Sequence, residues 1–521
     1  MTVSVQLDQP LRSRRNTWNT QVAVHAEMQP GNTAFRYLGK DTTWKQLADR
    51  SEALADGLAR RGIGFGDRVL IVMLNHTEYI EAVLGINALG AIAVPVNFRL
   101  TPPEMGYIVS DSGASVVITD SVLAPLVAAV RNATPGLDHC IVVDGRTEGD
   151  VLGYEDVLAE EGEAHVPLDI PEDTASLIMY TSGTTGSPKG AVLSYSNMNS
   201  QALTCLRALD SRPDDVAFCT SPMFHIAGLG SIAPVLLMGG KTVIHPLGAF
   251  NVTELLDAWE REGATTCFAV PAQWQAVCAD PTVKDRDLKL RVISWGAAPA
   301  SDTVLRAMAE TFPDAQNVAV FGQTEMSPIT CVLEGKDALR KLGSVGIPIP
   351  TIQTRIVDDE MNDVAPGEVG EIVYRGPTMM QGYWNKPEAT AEAFAGGWFH
   401  SGDLVVRDDE GFIFVVDRKK DMIISGGENI YCAEVENVLY AHPNIREAAV
   451  IGRPDDKWGE VPVAVIALDG VADLTIPELE AFLNENLARY KHPKDLVIVD
   501  ELPRNASGKV VKPSLRNEFA G

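Results

Sequence analysis

The stretch YTSGTTGSPKG, Tyr180 to Gly190, places hydroxyls and glycines ahead of one proline and one positive charge, Lys189. It follows the apolar run SLIMY, so a strand delivers it. Consecutive backbone N–H groups, the hydroxyls of Thr181, Ser182, Thr184 and Thr185, and one ammonium group together suit phosphate oxygens. Gly183 and Gly186 let the backbone come close to them. A P-loop kinase or GTPase reading loses its main support here. That loop follows its lysine with Ser or Thr to meet Mg2+, whereas Lys189 stands between Pro188 and Gly190.

A loop of this kind depends on the elements that carry it. Upstream, RVLIVML (Arg68 to Leu74), TEYIEAVLGINALG, AIAVPV (Ala91 to Val96) and SVVIT (Ser115 to Thr119) alternate strand-like with helical texture, which predicts βαβ units on a mostly parallel sheet. A second α/β set starts at SLIMY and continues through KTVIHP, TTCFAV, LRVISW and NVAVF. From Gly343 short strands separated by Gly, Pro and Asp predict a small antiparallel sheet or barrel. The charged run DRKKD, Asp417 to Asp421, then precedes about a hundred residues with their own strand and helix patterns.

The composition narrows the partners. Lys+Arg 43 against Asp+Glu 70 gives a net charge of -27, which repels nucleic acid and anionic lipid over most of the surface. A polyanionic ligand must find local positive sites. Seven cysteines with no CxxC pair signal neither a zinc site nor a disulfide framework and suit a reducing cytoplasm. The first 20 residues lack the apolar core of a signal peptide and read as a surface arm. Val216 to Gly240 carries no Asp, Glu, Lys or Arg, but Pro222, His225, Gly228, Gly230 and Pro234 interrupt it. It reads as a buried segment lining a cavity and not as a membrane span, which leaves only peripheral membrane contact open.

Beyond the loop, SPMFHIAG (Ser221 to Gly228), SWGAAP (Ser294 to Pro299), FGQTE (Phe321 to Glu325), WFHSGD (Trp398 to Asp403), DRKKDMIISGGENI (Asp417 to Ile430) and PRNASGKV (Pro503 to Val510) follow in order. With these segments the chain resembles the adenylate-forming superfamily: acyl-CoA synthetases, aryl-CoA ligases, luciferases and the adenylation domains of peptide synthetases. The first 170 residues match in overall pattern and not by motif. The resemblance implies an α/β fold. A large N-terminal domain (residues 1–416) would hold two α/β subdomains and a small distorted β-barrel. A hinge (417–421) and a small mobile α+β C-terminal domain (422–521) would follow.

It also implies a reaction: a carboxylate attacks the α-phosphate of ATP, pyrophosphate leaves, and coenzyme A captures the acyl-adenylate. By resemblance, Thr181, Ser182, Gly183, Thr184, Thr185, Gly186 and Lys189 hold the β- and γ-phosphates. Glu325 is the Mg2+ ligand, with Thr181 a second candidate. Thr324 donates to the α-phosphate. Gly296, Ala297 and Ala298 form a thin wall along adenine, with Phe321 and Gly322 on the other side. Asp403 accepts the ribose hydroxyls, supported by Arg418. Lys509 stabilises charge on the α-phosphorus during adenylation. Lys420 is the hinge residue, and Gly427 and Trp458 line the pantetheine tunnel. Ile424 stands where some relatives carry a second lysine.

The Phe224-His225 pair bears on the acid. Domains that activate amino acids carry Asp after this Phe to neutralise an ammonium group, and His225 offers no such fixed anion. His225 instead gates the acyl site. No carrier-like segment with a phosphopantetheine serine is present, so free coenzyme A is the expected thiol. Small residues at Ala227, Gly228, Gly230 and Ala233 suit an apolar tunnel for a medium- to long-chain fatty acid, though helix packing uses such residues equally well. The likeness of DRKKDMIISGGENIYCAEVENVL to actinobacterial fatty-acyl-CoA ligases points to a fatty acid, and an aryl-CoA ligase or luciferase-like enzyme is the alternative. A monomer or a homodimer is expected.

Overall fold

The computed structural model describes residues 15–181, 188–298, 300–426, 428–469, 474–504 and 510–519. Strands Arg68–Val72, Ile92–Pro95, Val116–Asp120, His139–Val143 and Val151–Gly153 run parallel, with helices Thr77–Ala88, Pro102–Ser112 and Ala124–Ala133 between them. Their near-continuous apolar runs follow from helices covering the sheet. Strand Ala175–Thr181 joins this sheet parallel to Ile92–Pro95, and strand Lys189–Ser194 returns antiparallel beside it. An eighth strand, Gly382–Tyr383, closes the edge next to Lys189–Ser194.

A second sheet of 13 strands has parallel strands Lys241–Ile244, Val216–Cys219, Thr266–Ala269, Val292–Gly296 and Gln316–Gly322 at its centre. Its far edge is strands Thr33–Tyr37 and Lys40–Thr43, which precede the whole first sheet in sequence. Alternation alone does not predict that exchange, because it orders strands along the chain and not across a sheet.

The antiparallel strands after Gly343 continue this second sheet. Strand Ser344–Pro348 pairs through Ile347 and Pro348 with Ile329–Leu333, and through Ser344 and Gly346 with Ile413–Arg418. The bend falls at Gly346, whose φ is +92° and where a Cβ would sit 1.9 Å from the Val332 carbonyl oxygen. Only glycine fits both conditions. The smaller C-terminal domain has its own five-stranded sheet, with Gly459–Leu468 at its centre. Its last helix, Lys512–Phe519, is tied by Lys512 to Glu436 at 2.8 Å and by Arg516 to Asp421 at 2.6 Å.

The charge-free stretch becomes strand Val216–Cys219 and the 13-residue helix Ile226–Met238. Ile226, Leu229, Ile232, Ala233 and Leu236 on that helix are buried in the main core with Trp18, Val22, Met198 and Ala202. Among the described residues no helix is long and apolar enough to cross a membrane. All seven cysteines are free thiols, six of them buried.

Candidate active site

Thr181 and Lys189 are register partners at the mouth of the Ala175–Thr181 and Lys189–Ser194 pair. The phosphate-loop residues Ser182, Gly183, Thr184, Thr185 and Gly186 lie outside the described residues, but the ladder fixes both ends of their segment. A strand follows Lys189 where a P-loop would start a helix, a second departure from Walker geometry. The preceding Tyr180 is anchored: its hydroxyl donates to Asp111 Oδ2 at 2.7 Å, and Lys386 holds Asp111 Oδ1 at 2.6 Å.

Glu325 is buried in a short 3-10 turn, Thr324–Met326, just after strand Gln316–Gly322. Its Oε1 accepts from Thr181 Oγ1 at 3.3 Å and from the Tyr383 hydroxyl at 3.0 Å. The backbone N–H of Met380 donates to the Glu325 carbonyl at 2.8 Å. Lys189 Nζ lies 5.2 Å from the Tyr383 ring centroid. Sequence reasoning missed Tyr383, because only its pairing with Ala191 across the sheet edge brings it here.

This donor set fits Mg2+. One carboxylate and one hydroxyl leave the remaining positions to water and phosphate oxygens, as that ion prefers. Among the described residues no group of three or more His, Cys, Asp or Glu could form an all-protein cage for a metal.

Gly296 ends strand Val292–Gly296 and is the register partner of Val320. A Cβ there would stand 2.1 Å from the Val320 carbonyl oxygen. Ala297 follows with φ +64°, a conformation that costs a residue bearing a Cβ about 1–2 kcal/mol. Ala298 closes this turn. Phe321 sits one residue on in the neighbouring strand, its carbonyl accepting from Thr330 Oγ1 at 3.2 Å. At Gly322 a Cβ would lie 1.9 Å from the Pro328 carbonyl oxygen, so the chain folds back tightly before Thr324. These residues lie at the carboxyl ends of parallel strands, where open α/β sheets bind ligands. Gly296→Ala is expected to cost about 1–3 kcal/mol by overpacking, seen as a lower urea midpoint at unchanged slope, and to weaken AMP binding in a fluorescence titration.

Asp403 is buried on strand Phe399–Arg407, and Arg418 is its partner across the ladder. Arg418 Nε donates to Asp403 Oδ1 at 2.6 Å. Burial, with the Asp403 charge added, pushes the Cys331 thiol up to about 12. Cys331 is the register partner of Phe321, so Asp403 stands close to the wall that Phe321 begins.

His225 caps the N-terminal end of helix Ile226–Met238, its ring 4.9 Å from that of Phe224, which in turn meets Phe98 edge-on at 5.2 Å. The helix then packs tightly. A Cβ at Gly228 would come 2.4 Å from the Pro222 carbonyl oxygen, and one at Gly230 would come 3.2 Å from Pro328 Cδ. These two glycines serve close packing against the chain's own turns, and they seat His225's helix against the Ser327-Pro328 turn that follows Glu325.

Lys420 lies in a turn closed by Asp421 N–H donating to the Arg418 carbonyl at 2.8 Å, and burial lowers its pKa below the ordinary lysine value. Beside it burial lifts the Asp417 carboxyl to about 6. Gly427 and Lys509 lie outside the described residues. Trp458, 45% exposed, lies over Gly426, whose N–H donates to the Trp458 carbonyl at 2.7 Å. Lys509 falls between Arg504 and Val510, which form an isolated bridge.

The sequence profile of a known family, the AMP-binding enzymes, matches residues 22–384, and that of the AMP-binding enzyme C-terminal domain matches residues 434–509. The chain belongs to the AMP-binding enzyme family. Within this adenylate-forming superfamily it is an acid–CoA ligase of the AMP-forming type. It is 41% identical over 499 residues to a feruloyl-CoA synthase of Amycolatopsis sp, spanning 95% of this chain and 97% of that protein. An indoleacetate–CoA ligase of Aromatoleum aromaticum is 39% identical over 501 residues, 95% of this chain and 97% of the relative. The long-chain-fatty-acid–CoA ligase FadD13 of Mycobacterium tuberculosis is 36% identical over 488 residues, 92% of this chain and 93% of its own. Among solved structures, o-succinylbenzoate CoA synthetase from Bacillus subtilis with its acyl-adenylate superimposes with a TM-score of 0.86 at 31% identity, covering 97% of this chain and 99% of that one.

Proposed function

We propose that this AMP-binding enzyme joins an aryl or arylalkanoic acid to free coenzyme A in the cytoplasm, by way of an acyl-adenylate, releasing AMP and pyrophosphate. The observation that carries the two-step chemistry is the meeting of Thr181 and Glu325 at the base of the phosphate loop, 144 positions apart in sequence. A bound Mg2+ neutralises phosphate charge and orients the departing pyrophosphate. Glu325 and Thr181 are the residues that would hold it.

The other roles follow from the family motifs that these residues match. Lys189 and the loop residues 182–186 grip the leaving pyrophosphate. Thr324 donates to the α-phosphate, and Lys509 offsets the charge that develops there. The thin turn at Gly296, Ala297 and Ala298 faces adenine with Phe321 and Gly322 opposite, and Asp403 with Arg418 holds the ribose. A carboxylate repels a thiol and has no good leaving group, so adenylation must come first; the enzyme contributes positioning and charge more than covalent help. Lys420 is the pivot on which the 417–421 segment reorients the C-terminal part. The turn at Gly426 beside Trp458 then receives the pantetheine arm, with Gly427 the next residue in sequence.

The acid is assigned to the aryl class because the feruloyl and indoleacetate relatives are the more similar ones and because Phe98 and Phe224 form an aromatic cluster with His225. Aromatic contacts of this kind add about 0.5–1.5 kcal/mol beyond area burial. A medium- to long-chain fatty acid is the second reading, supported by the 36% identity to FadD13. ATP–pyrophosphate exchange with ferulate, indoleacetate and benzoate against saturated acids of increasing length separates them. The aryl acids are expected to give the higher kcat/KM. If a fatty acid exceeds every aryl acid, the aryl assignment is wrong and the two-step chemistry stands.

A further inference from the structure

Three segments far apart in sequence converge on one carboxylate oxygen. Thr181 and Tyr383 both donate to Glu325 Oε1, and no described residue donates to Oε2. Oε1 is thus anchored, while Oε2 is left without a donor from the described residues. Tyr383 has little freedom to leave. Its N–H donates to Thr390 Oγ1 at 2.9 Å, the next residue's N–H donates to the Gly190 carbonyl at 2.7 Å, and the strand Gly382–Tyr383 is laddered to Val192 and Ala191. The same ring carries the Lys189 ammonium on its face at 5.2 Å.

We propose that Tyr383 is a positioning residue for the metal and phosphate end of the site: its hydroxyl turns Glu325 so that Oε2 faces the cation, and its ring sets the height of Lys189 against the same phosphates. This rests on the roles proposed above for Glu325 and Lys189. One side chain then couples the two groups that meet the departing pyrophosphate. Thr181 sits at the same junction: its one hydroxyl proton is shared between Glu325 Oε1 at 3.3 Å and the Lys189 carbonyl at 3.4 Å, and its lone pairs stay available to a cation.

The test is direct metal binding. Electron paramagnetic resonance reads free Mn2+ during titration of the full chain saturated with α,β-methylene-ATP, for wild type, Tyr383→Phe, Tyr383→Leu and Glu325→Gln. Tyr383→Phe removes a hydrogen bond to a charged group and is expected to weaken Mn2+ binding about tenfold. It leaves the metal-free affinity for the analogue and the urea midpoint near wild type. Tyr383→Leu loses the ring as well and weakens metal-free analogue binding a further ~3-fold, the scale of an exposed cation–π contact. If Glu325→Gln loses Mn2+ binding while Tyr383→Phe binds like wild type, the positioning role is wrong and the role of Glu325 survives. If Glu325→Gln itself binds Mn2+ like wild type, the functional reading fails and takes this inference with it.

Discussion

Replacing Lys509 with alanine is expected to lower the rate of ATP–pyrophosphate exchange by about 10²–10³, the loss typical of removing one donor aimed at developing charge. Attack on the α-phosphorus gathers charge on its oxygens, and a preorganised ammonium group there acts with no reorganisation. The described residues that flank Lys509 in sequence are fastened. Arg504 is bonded to Glu447 at 2.6 Å and bridges Val510, and the following helix is fastened by Lys512 to Glu436 and by Arg516 to Asp421. Asp421 adjoins Lys420, so the helix after Val510 is fastened directly beside the 417–421 segment. On the proposed reorientation, which gives thiolysis the other arrangement of the C-terminal part, thiolysis of a supplied acyl-adenylate should stay within about threefold of wild type. Rapid-quench assays of the two half-reactions measure this. Equal losses in both steps contradict the division of labour between orientations.

Asp403→Ala should strike both stability and nucleotide recognition. Removing one partner of a buried ion pair costs about 3–5 kcal/mol, and here the cost falls toward the low end because the Arg418 side chain is 37% exposed. The urea midpoint drops accordingly. The ribose loses two hydrogen bonds to a charged group, worth about 1.5–3 kcal/mol each, so KM for ATP rises by at least ~10². Asp403→Asn keeps the shape and isolates the charge. Comparing ATP with 2′-deoxy-ATP decides whether recognition is involved: wild type favours ATP, and in Asp403→Ala the preference collapses. A preference that persists unchanged removes Asp403 from the ribose site.

Much of the molecule was legible in the chain itself. Short apolar runs between helical stretches located the parallel strands, since strands covered on both faces must be apolar throughout. The Lys-Gly ending of YTSGTTGSPKG ruled out Walker geometry before any coordinates. The ordered motifs named the superfamily, and Arg418 stands beside Asp403 because a two-stranded ladder makes them direct partners.

The glycines after His225 are a different case. Their spacing fits a tunnel wall and a packing face alike, and the backbone of Pro222 at 2.4 Å from a Cβ on Gly228 shows packing. Composition reports that a residue is small and is silent on what occupies the space. The edge strand Thr33–Tyr37, which crosses to the second sheet, and Tyr383, which reaches Glu325 from 58 positions away, are likewise decided by pairing between distant segments. Residue types and spacing along the chain determined the βαβ units and, through the ordered motifs, the family and its AMP-forming ligase class. The tertiary structure decided which oxygen of Glu325 is held, and by whom, because that depends on register across a sheet edge that no local pattern encodes.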